Sequence, residues 1–249
     1  MGTQRLMINK LVSLWDKTFG YNQNDYIKAF FKLTASRCNP SLVRRFLSYS
    51  ILAQEFAQLN KVNLYSSRDE LYNIILDDLG RSSPVTYIEF GVFKGDSIKF
   101  FSNSFSNEQS VFYGLDSFLG LPEAWGGEKA GFFSTYDVMP EIQDTRVRFY
   151  AGWFHNTIGH LKQELKLNDV ILINFDADLY SSTLFSLCQM DELGCSYYAI
   201  FDEFSGDECR ALSDYLSTYG ANVIFFGHVN WRKFPSVVFC KISPRCSSH

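Results

Sequence analysis

The chain has 249 residues, of which 46% are hydrophobic and 20% are charged. This composition allows a sizeable core and excludes a disordered chain. The net charge is −4 without a basic stripe, which argues against nucleic-acid binding as the main task. Six cysteines occur without a CxxC pair, and no apolar run approaches the length of a membrane span. We therefore expect neither a structural zinc site nor a membrane protein. Without an export signal, we expect reduced thiols and a cytoplasmic location.

Residues 1–80 have the pattern of helices. Apolar residues recur every fourth position within the first twenty residues and form one stripe. Ser67 and Glu70 have the spacing of a capping box, and Gly80 is placed to end the helix that follows. We predict two parts, an N-terminal helical extension or lid over 1–80 and a catalytic domain over 81–249.

From residue 84 onward, short apolar runs alternate with stretches of helical periodicity. The runs cover 85–92, 110–118, 148–151, 170–175, 197–201, 222–227 and 236–242. Such alternation predicts βαβ units and a mainly parallel sheet with helices on both faces. The last two runs are too close for a parallel crossover, so they are predicted to form an antiparallel hairpin. The fold class is therefore α/β, a Rossmann-like, seven-stranded, mainly parallel sheet with an antiparallel last strand.

The first predicted strand ends in a glycine-containing turn before a helix. Glu89, Gly91 and Gly95 form the pattern Glu-x-Gly-x-x-x-Gly, in which the glycines let the backbone turn tightly and lie close to a ligand. An ordinary strand-to-helix turn would use the same residues. The pattern differs from the GxGxxG of dinucleotide-binding proteins, and it favours S-adenosylmethionine, whose amino-acid tail would face the turn.

The second predicted strand ends at Asp116, 21 residues beyond Gly95. This spacing places a carboxylate at the tip of the neighbouring strand, where it can accept both hydroxyls of a ribose. A helix or turn cap is the alternative interpretation. The third strand leads into Trp153 and Phe154, which could border a flat ring or belong to an aromatic core.

Carboxylates follow the fourth and fifth predicted strands. Asp176 and Asp178 follow the fourth strand, and Asp202 and Glu203 follow the fifth. Because the ends of adjacent strands converge at one edge of the sheet, Asp176, Asp202 and Glu203 are predicted to meet there. Crowded carboxylates need protons or a cation, and oxygen ligands suit magnesium or calcium. Asp178 is interpreted as a cap of the next helix.

The segment 120–144 is polar, aromatic and rich in glycine. Long irregular segments of this kind in compact domains are often lids or binding loops. We therefore expect it to close over a substrate together with the N-terminal helices.

Several stretches together resemble class I S-adenosylmethionine-dependent methyltransferases and, more narrowly, the macrocin O-methyltransferase family. They are SSRDELY at 66–72, YIEFGVFKGDSIKFF at 87–101, YGLDSFLGLPEAW at 113–125, VRFYAGWFHNTI at 147–158, INFDADLYSST at 173–183 and FDEF at 201–204. The terminal hairpin fits the class I fold. The resemblance implies methylation of a hydroxyl on a small molecule, such as a sugar or another secondary metabolite, assisted by magnesium.

The resemblance also implies roles for individual residues. The methionine part of S-adenosylmethionine would be held by Glu89, Gly91, Gly95 and Ser97. Asp116 would bind the ribose, and the adenine would lie beside Ser117, Phe118, Gly152, Trp153 and Phe154. Magnesium would be bound by Asp176, Asp202 and Glu203, and Asp176 would take the acceptor proton. The family more often has Asp-Asp where this chain has Asp202 and Glu203, and the longer glutamate alters the reach to a metal.

Two other functions are compatible with parts of the pattern. A nicotinamide-dependent oxidoreductase would share the fold class, although the glycine spacing and the terminal hairpin argue against it. A catalytically inactive methyltransferase-like module would bind the donor without turnover, although it would have no need for this combination of glycines and carboxylates. A small-molecule acceptor and a homodimer are expected, without nucleic-acid or membrane partners.

Overall fold

The computed structural model describes residues 58–125, 127–204, 206–231 and 234–245. The helices predicted within residues 1–57 lie outside this part of the chain. The described helices are α1 (Arg68–Leu79), α2 (Asp96–Ser104), α3 (Phe154–Glu164), α4 (Tyr180–Asp191) and α5 (Asp207–Tyr219). The strands are β1 (Asn63–Tyr65), β2 (Val85–Phe90), β3 (Val111–Asp116), β4 (Val147–Ala151), β5 (Val170–Phe175), β6 (Tyr197–Phe201), β7 (Asn222–Trp231) and β8 (Phe234–Ser243).

These strands form one sheet in the order β1-β7-β8-β6-β5-β2-β3-β4. β8 is antiparallel to β6 and β7, and the other neighbouring pairs are parallel. The predicted mainly parallel α/β sheet with an antiparallel last strand is confirmed. The strand order reverses between β2 and β5, and ligands of open α/β sheets bind at such a switch point, beyond the carboxyl ends of the strands.

The sheet has an apolar layer on each face. Leu71, Ile98 and Phe101 of α1 and α2 pack on one face with Tyr87 of β2. The helices α3, α4 and α5 pack on the other face, where Ile88 lies. All six residues of β2 are buried, as expected for a central strand that is covered on both sides.

The region predicted to be entirely helical contributes a strand as well as a helix. β1 pairs in parallel with β7, and its three residues are too few to show a strand periodicity in the sequence. The seven predicted strands therefore become eight. Because β1 joins the sheet and α1 packs on it, both elements share a core with the domain predicted for 81–249. What the rest of the extension does stays a prediction.

The ends of α1 follow the predicted signals. The Ser67 Oγ accepts a hydrogen bond from the Glu70 backbone N–H at 3.1 Å, and Gly80, with φ of 81°, ends the helix. The Glu70 carboxylate accepts from the Ser66 N–H at 2.7 Å, so the reciprocal bond of the capping box comes from one residue earlier than usual. In the described part of the chain, no helix is long and apolar enough to cross a membrane.

Candidate active site

A cavity of about 730 Å³ lies at the carboxyl ends of the central strands. Its volume is in the range of small-molecule sites. Its aromatic lining consists of Phe93, Trp125, Phe133, Trp153, Phe154 and Phe185. The polar side chains of the lining are Asp116, Ser117, His155, Asp176, Asp178, Ser181, Ser182, Asp202 and Glu203. The cavity therefore combines aromatic walls with a strongly acidic edge.

Gly91 brings the ends of β2 and β5 into direct contact. Its φ is 91°, and a Cβ at this position would lie 1.8 Å from the Asp176 carbonyl oxygen. Any other residue would have to push the two strand ends apart. The requirement for glycine is thus set by this close approach as well as by the positive φ.

Asp116 ties the turn after β2 to the end of β3. Its Oδ2 accepts hydrogen bonds from the backbone N–H groups of Val92 at 2.7 Å and Phe93 at 2.8 Å. Its Oδ1 accepts from the Phe118 N–H at 2.7 Å. A carboxylate offers about four acceptor positions, so one is left for a ligand hydroxyl. Asp116 is therefore a turn cap and a cavity residue at once.

The remaining residues predicted near the adenine are split between the cavity and the core. Ser117, Trp153 and Phe154 line the cavity. Phe118 is fully buried and its backbone has a φ of 56°. Gly152 donates its N–H to the Asp116 carbonyl oxygen at 2.8 Å and is not among the lining residues.

Glu89 lies below the cavity rather than in its lining. Its side chain is buried and accepts a hydrogen bond from the Tyr87 hydroxyl. Burial raises the pKa of Glu89 to about 8, so the carboxyl is largely protonated at neutral pH. The neighbouring Asn174, which is opposite Glu89 in the register of β2 and β5, is also buried, and its hydrogen bond with the Glu89 carboxyl opposes the effect of burial on that pKa.

Gly95 and Ser97 are covered by other parts of the chain. A Cβ on Gly95 would lie 2.9 Å from two ring carbons of Pro140. The Ser97 hydroxyl is buried, 3.5 Å from the hydroxyl of Tyr72. The structure thus brings Gly91 of the glycine turn to the cavity but does not bring Glu89, Gly95 or Ser97 there. Their role toward the methionine part stays a prediction.

We call Asp176, Asp178, Asp202 and Glu203 the acidic edge, because these four side chains line one side of the cavity. Burial and the neighbouring Asp202 raise the pKa of Asp176 well above its usual value. Burial, together with Glu203, raises the pKa of Asp178 to about 7. The pKa values of Asp202 and Glu203 are also raised by burial. Such crowding favours protonation or the approach of a cation.

Asp178 belongs to the acidic edge and does not cap the next helix. The residue before α4 that caps the helix is Leu179, without a side-chain hydrogen bond, so the interpretation of Asp178 as the cap is wrong. Asp178 instead has a φ of 56°, is 8% exposed and lines the cavity. Its two-residue spacing from Asp176 was the available signal.

Glu208 lies behind the acidic edge and was not predicted. It is fully buried in the first turn of α5, where its Oε2 accepts the backbone N–H of Glu203 at 3.0 Å. Among the described residues, its Oε1 has no hydrogen-bond partner. Burial raises the pKa of Glu208 well above its usual value. An acidic residue near a helix N-terminus is common, so the sequence carried no distinct signal.

Arg68 forms an ion pair with the acidic edge. Its Nη1 lies 3.2 Å from the Asp202 Oδ2 and 3.5 Å from the Oδ1. The described residues contain no group of three or more His, Cys, Asp or Glu side chains that could hold a metal ion. The predicted magnesium site at Asp176, Asp202 and Glu203 is therefore not supported by their arrangement.

The segment 120–144 forms one wall of the cavity. Gly120 lies so close to the backbone of residues 131 and 132 that a Cβ would be 2.4 Å from both carbonyl oxygens. The Ser181 hydroxyl donates to the Glu123 Oε1 at 3.0 Å, which joins the segment to α4. In this structure the segment already lines the cavity. Its predicted movement as a lid stays a prediction.

A protein-family model for macrocin-O-methyltransferase (TylF) matches residues 128–222. The match covers less than half of the chain, so it shows a similarity to this family. The matched segment includes the acidic edge, while the glycine turn and Asp116 precede it. The match supports the predicted resemblance to this family, and the activity stays a prediction. The comparison with curated protein sequences gives no match.

Several solved structures are similar to this chain. The calicheamicin methyltransferase CalS11 is 19% identical, with 69% of this chain and 75% of that chain covered and a TM-score of 0.48. An O-methyltransferase from Bacillus cereus is 11% identical, with 79% and 90% covered and a TM-score of 0.45. TomG from Streptomyces achromogenes is 11% identical, with 79% and 89% covered and a TM-score of 0.44. The fold assignment rests on the strand order and not on these similarities.

Proposed function

We propose that this protein transfers the methyl group of S-adenosylmethionine to a hydroxyl group of a small molecule, such as a sugar or another secondary metabolite. The observation that carries the proposal is the meeting of Gly91, Asp116 and Asp176 in one cavity at the switch point of the sheet. One ligand can therefore contact the turn at Gly91, the Asp116 carboxylate and the end of β5 at Asp176. The family match covers the end of β5.

The residues at the β2 and β3 ends fit the donor. The free acceptor position of Asp116 suits a ribose hydroxyl, and Trp153 and Phe154 provide aromatic surface for an adenine ring. The donor carries its methyl group on a sulfonium. When the methyl group is transferred, the leaving group is a neutral thioether, which needs no general acid.

Asp176 is the residue that we assign to the acceptor hydroxyl. A hydroxyl is a weak nucleophile while it is protonated, and a base within hydrogen-bond reach assists its attack. Burial and the neighbouring carboxylates raise the pKa of Asp176, which increases its affinity for the acceptor proton. Asp176 therefore holds and then removes the acceptor proton, and no step of this proposal passes through a metal ion.

The charge of the cavity indicates which acceptors it accommodates. Five carboxyl groups line it, from Asp116 and the acidic edge, and none of the described lining residues is a lysine or an arginine. A phosphorylated acceptor would meet like charge at the carboxyl groups, and the cation at this edge, Arg68, is already paired with Asp202. A neutral hydroxyl compound, or one that carries an amine, suits the cavity, and Trp125, Phe133 and Phe185 provide flat apolar surface for it.

Further aspects of the proposal concern the cellular setting. A role in secondary metabolism and a cytoplasmic location follow from the resemblance and the composition. A homodimer, and the absence of nucleic-acid and membrane partners, were predicted from the sequence in the same way. These parts of the proposal are independent of the geometry of the cavity.

An acceptor panel that is matched in size but varied in charge tests the proposal. The purified protein is incubated with methyl-deuterated S-adenosylmethionine and with neutral glycosides, amine-bearing glycosides, sugar phosphates or nucleotide sugars, and products are identified by mass spectrometry. We expect methylated oxygen in the neutral or amine-bearing sets. Methylation confined to the phosphorylated sets would contradict the acceptor assignment. Donor binding without turnover on any set would favour the inactive binding module.

A further inference from the structure

The acidic edge has a cation built into it. Arg68 is the first residue of α1, and it follows the N-cap, so the packing of α1 on the sheet places its guanidinium at the carboxyl ends of the strands. Both carboxylate oxygens of Asp202 lie within 3.5 Å of the Arg68 Nη1. The described residues form no other ion pair with the acidic edge.

The arrangement of Asp202 differs from that of a metal ligand. Magnesium takes oxygen ligands in a near-octahedral shell and keeps several waters. Here the Asp202 carboxylate is occupied by a guanidinium, and Asp176, Asp178 and Glu203 do not complete a group of metal-binding geometry. A divalent ion beside Asp202 would also lie close to a fixed positive charge that does not dissociate at accessible pH.

We propose that Arg68 takes the position that a divalent cation would need, so that the acidic edge is compensated by a side chain and does not bind magnesium. Arg68 acts as a positioning residue. It pairs with Asp202 and keeps that carboxylate turned toward α1, which leaves Asp176 available to the acceptor. The positioning role of Arg68 in catalysis rests on the proposed function. The inference that the acidic edge does not bind magnesium is independent of that function.

Metal binding can be measured without an acceptor. Manganese(II), which takes the same oxygen ligands as magnesium, is titrated into the full-length protein, and the free ion is followed by electron paramagnetic resonance. We expect no site in the wild type. Arg68→Met leaves Asp202 unpaired beside the other carboxylates, and we expect it to bind manganese at least about tenfold more tightly than the wild type. Added guanidinium should displace the ion, and Asp202→Asn combined with Arg68→Met should abolish the site.

Arg148→Met is the matched control. Arg148 forms an ion pair with Glu164 at 3.4 Å, and its side chain is 48% exposed, against 46% for Arg68. It lies outside the cavity lining, so its removal should not create a metal site. Thermal unfolding is recorded for every variant to verify the fold, S-adenosylhomocysteine binding is measured separately by calorimetry, and Arg68→Gln replaces the methionine variant if that variant fails to fold.

The outcomes separate this inference from the proposed function. A manganese site in the wild type at micromolar concentration would overturn the inference, and so would a folded Arg68→Met protein that binds no more manganese than the wild type. Failure of the wild type to bind S-adenosylhomocysteine would instead overturn the proposed function and leave the metal result standing. Once an acceptor is known, we expect a chelator to change wild-type turnover by less than about twofold.

Discussion

The two ends of the cavity compensate their carboxylates in different ways. At the β2–β3 end, Asp116 accepts three backbone N–H groups at 2.7–2.8 Å and is part of the turn that it holds. At the β5–β6 end, the four side chains of the acidic edge share one ion pair within the described part of the chain, that of Arg68 with Asp202.

This difference shows which end of the cavity has its interactions in place before a ligand binds. The carboxylate of Asp116 has its three backbone hydrogen bonds in place before a ligand arrives, so the β2–β3 end is ready to bind. The acidic edge is buried without equal compensation, which raises the pKa values of Asp176 and Asp178. Incoming positive charge, such as a sulfonium or an amine, would complete it.

Asp176→Asn should have the largest effect on turnover. Loss of the base should reduce kcat by about 10²–10⁴-fold, while the affinity for S-adenosylhomocysteine changes little, because the β2–β3 end is intact. Steady-state kinetics and calorimetry check the two parts separately. Asp169→Asn, at the exposed amino-terminal end of the same strand, is the matched control and should behave as the wild type. Normal turnover of Asp176→Asn would refute the role of this residue.

Gly91→Ala should have the next largest effect, on stability and on donor binding together. The new Cβ would collide with the Asp176 carbonyl oxygen, so we expect a loss of at least about 2 kcal/mol in the free energy of unfolding. Gly194→Ala is the control, since Gly194 also has a positive φ, of 64°, but has open space around its Cβ position. Its cost should be limited to about 1–2 kcal/mol. Equal losses in denaturant unfolding would show that the two strand ends are not in close contact.

Glu89→Gln should have a smaller effect that depends on pH. The pKa of Glu89 is raised in the folded protein from 4.5 to about 8, so the unfolded chain loses this proton first as the pH rises. Its contribution to stability is fully present below pH 4.5 and is lost as the pH approaches about 8. Relative to the wild type, the glutamine variant should therefore gain in Tm between pH 5 and pH 8.

Glu70→Gln is the control of opposite sign for this measurement. Hydrogen bonds from Ser66 lower the pKa of Glu70, so its contribution is present above its usual pKa and is lost as the pH falls. The Glu70→Gln variant should be less stable than the wild type at neutral pH and should approach it in acid. The same pH trend in both variants would contradict the burial of an ionisable Glu89.

The sequence predicted the features that depend on local spacing. The alternation of runs predicted the α/β sheet and its terminal hairpin, and the positions of Gly91, Asp116 and Asp176 at strand ends predicted that they share one edge. A parallel sheet places such positions together whatever the details of packing. Chain spacing was therefore enough to find the cavity and most of its acidic residues.

The features that were missed depend on packing between distant segments. Arg68 was seen only as part of a helix start, because its partner Asp202 is 134 positions away. The burial of Glu89 and the covering of Gly95 by Pro140 follow from how α2 and the segment 120–144 pack. Asp178 was assigned to a helix cap because the D-x-D spacing permits either role, and its backbone conformation decided between them.

Calorimetric titration of the full-length protein with S-adenosylhomocysteine, repeated on Asp116→Ala, tests the central claim most directly. The account predicts micromolar binding by the wild type and a loss of at least about tenfold in the variant, because Asp116 both accepts from the ligand and holds the turn beside it. The thermal unfolding of Asp116→Ala is recorded in parallel to confirm that it folds. No binding by the wild type, or equal binding by a folded Asp116→Ala, would contradict the account.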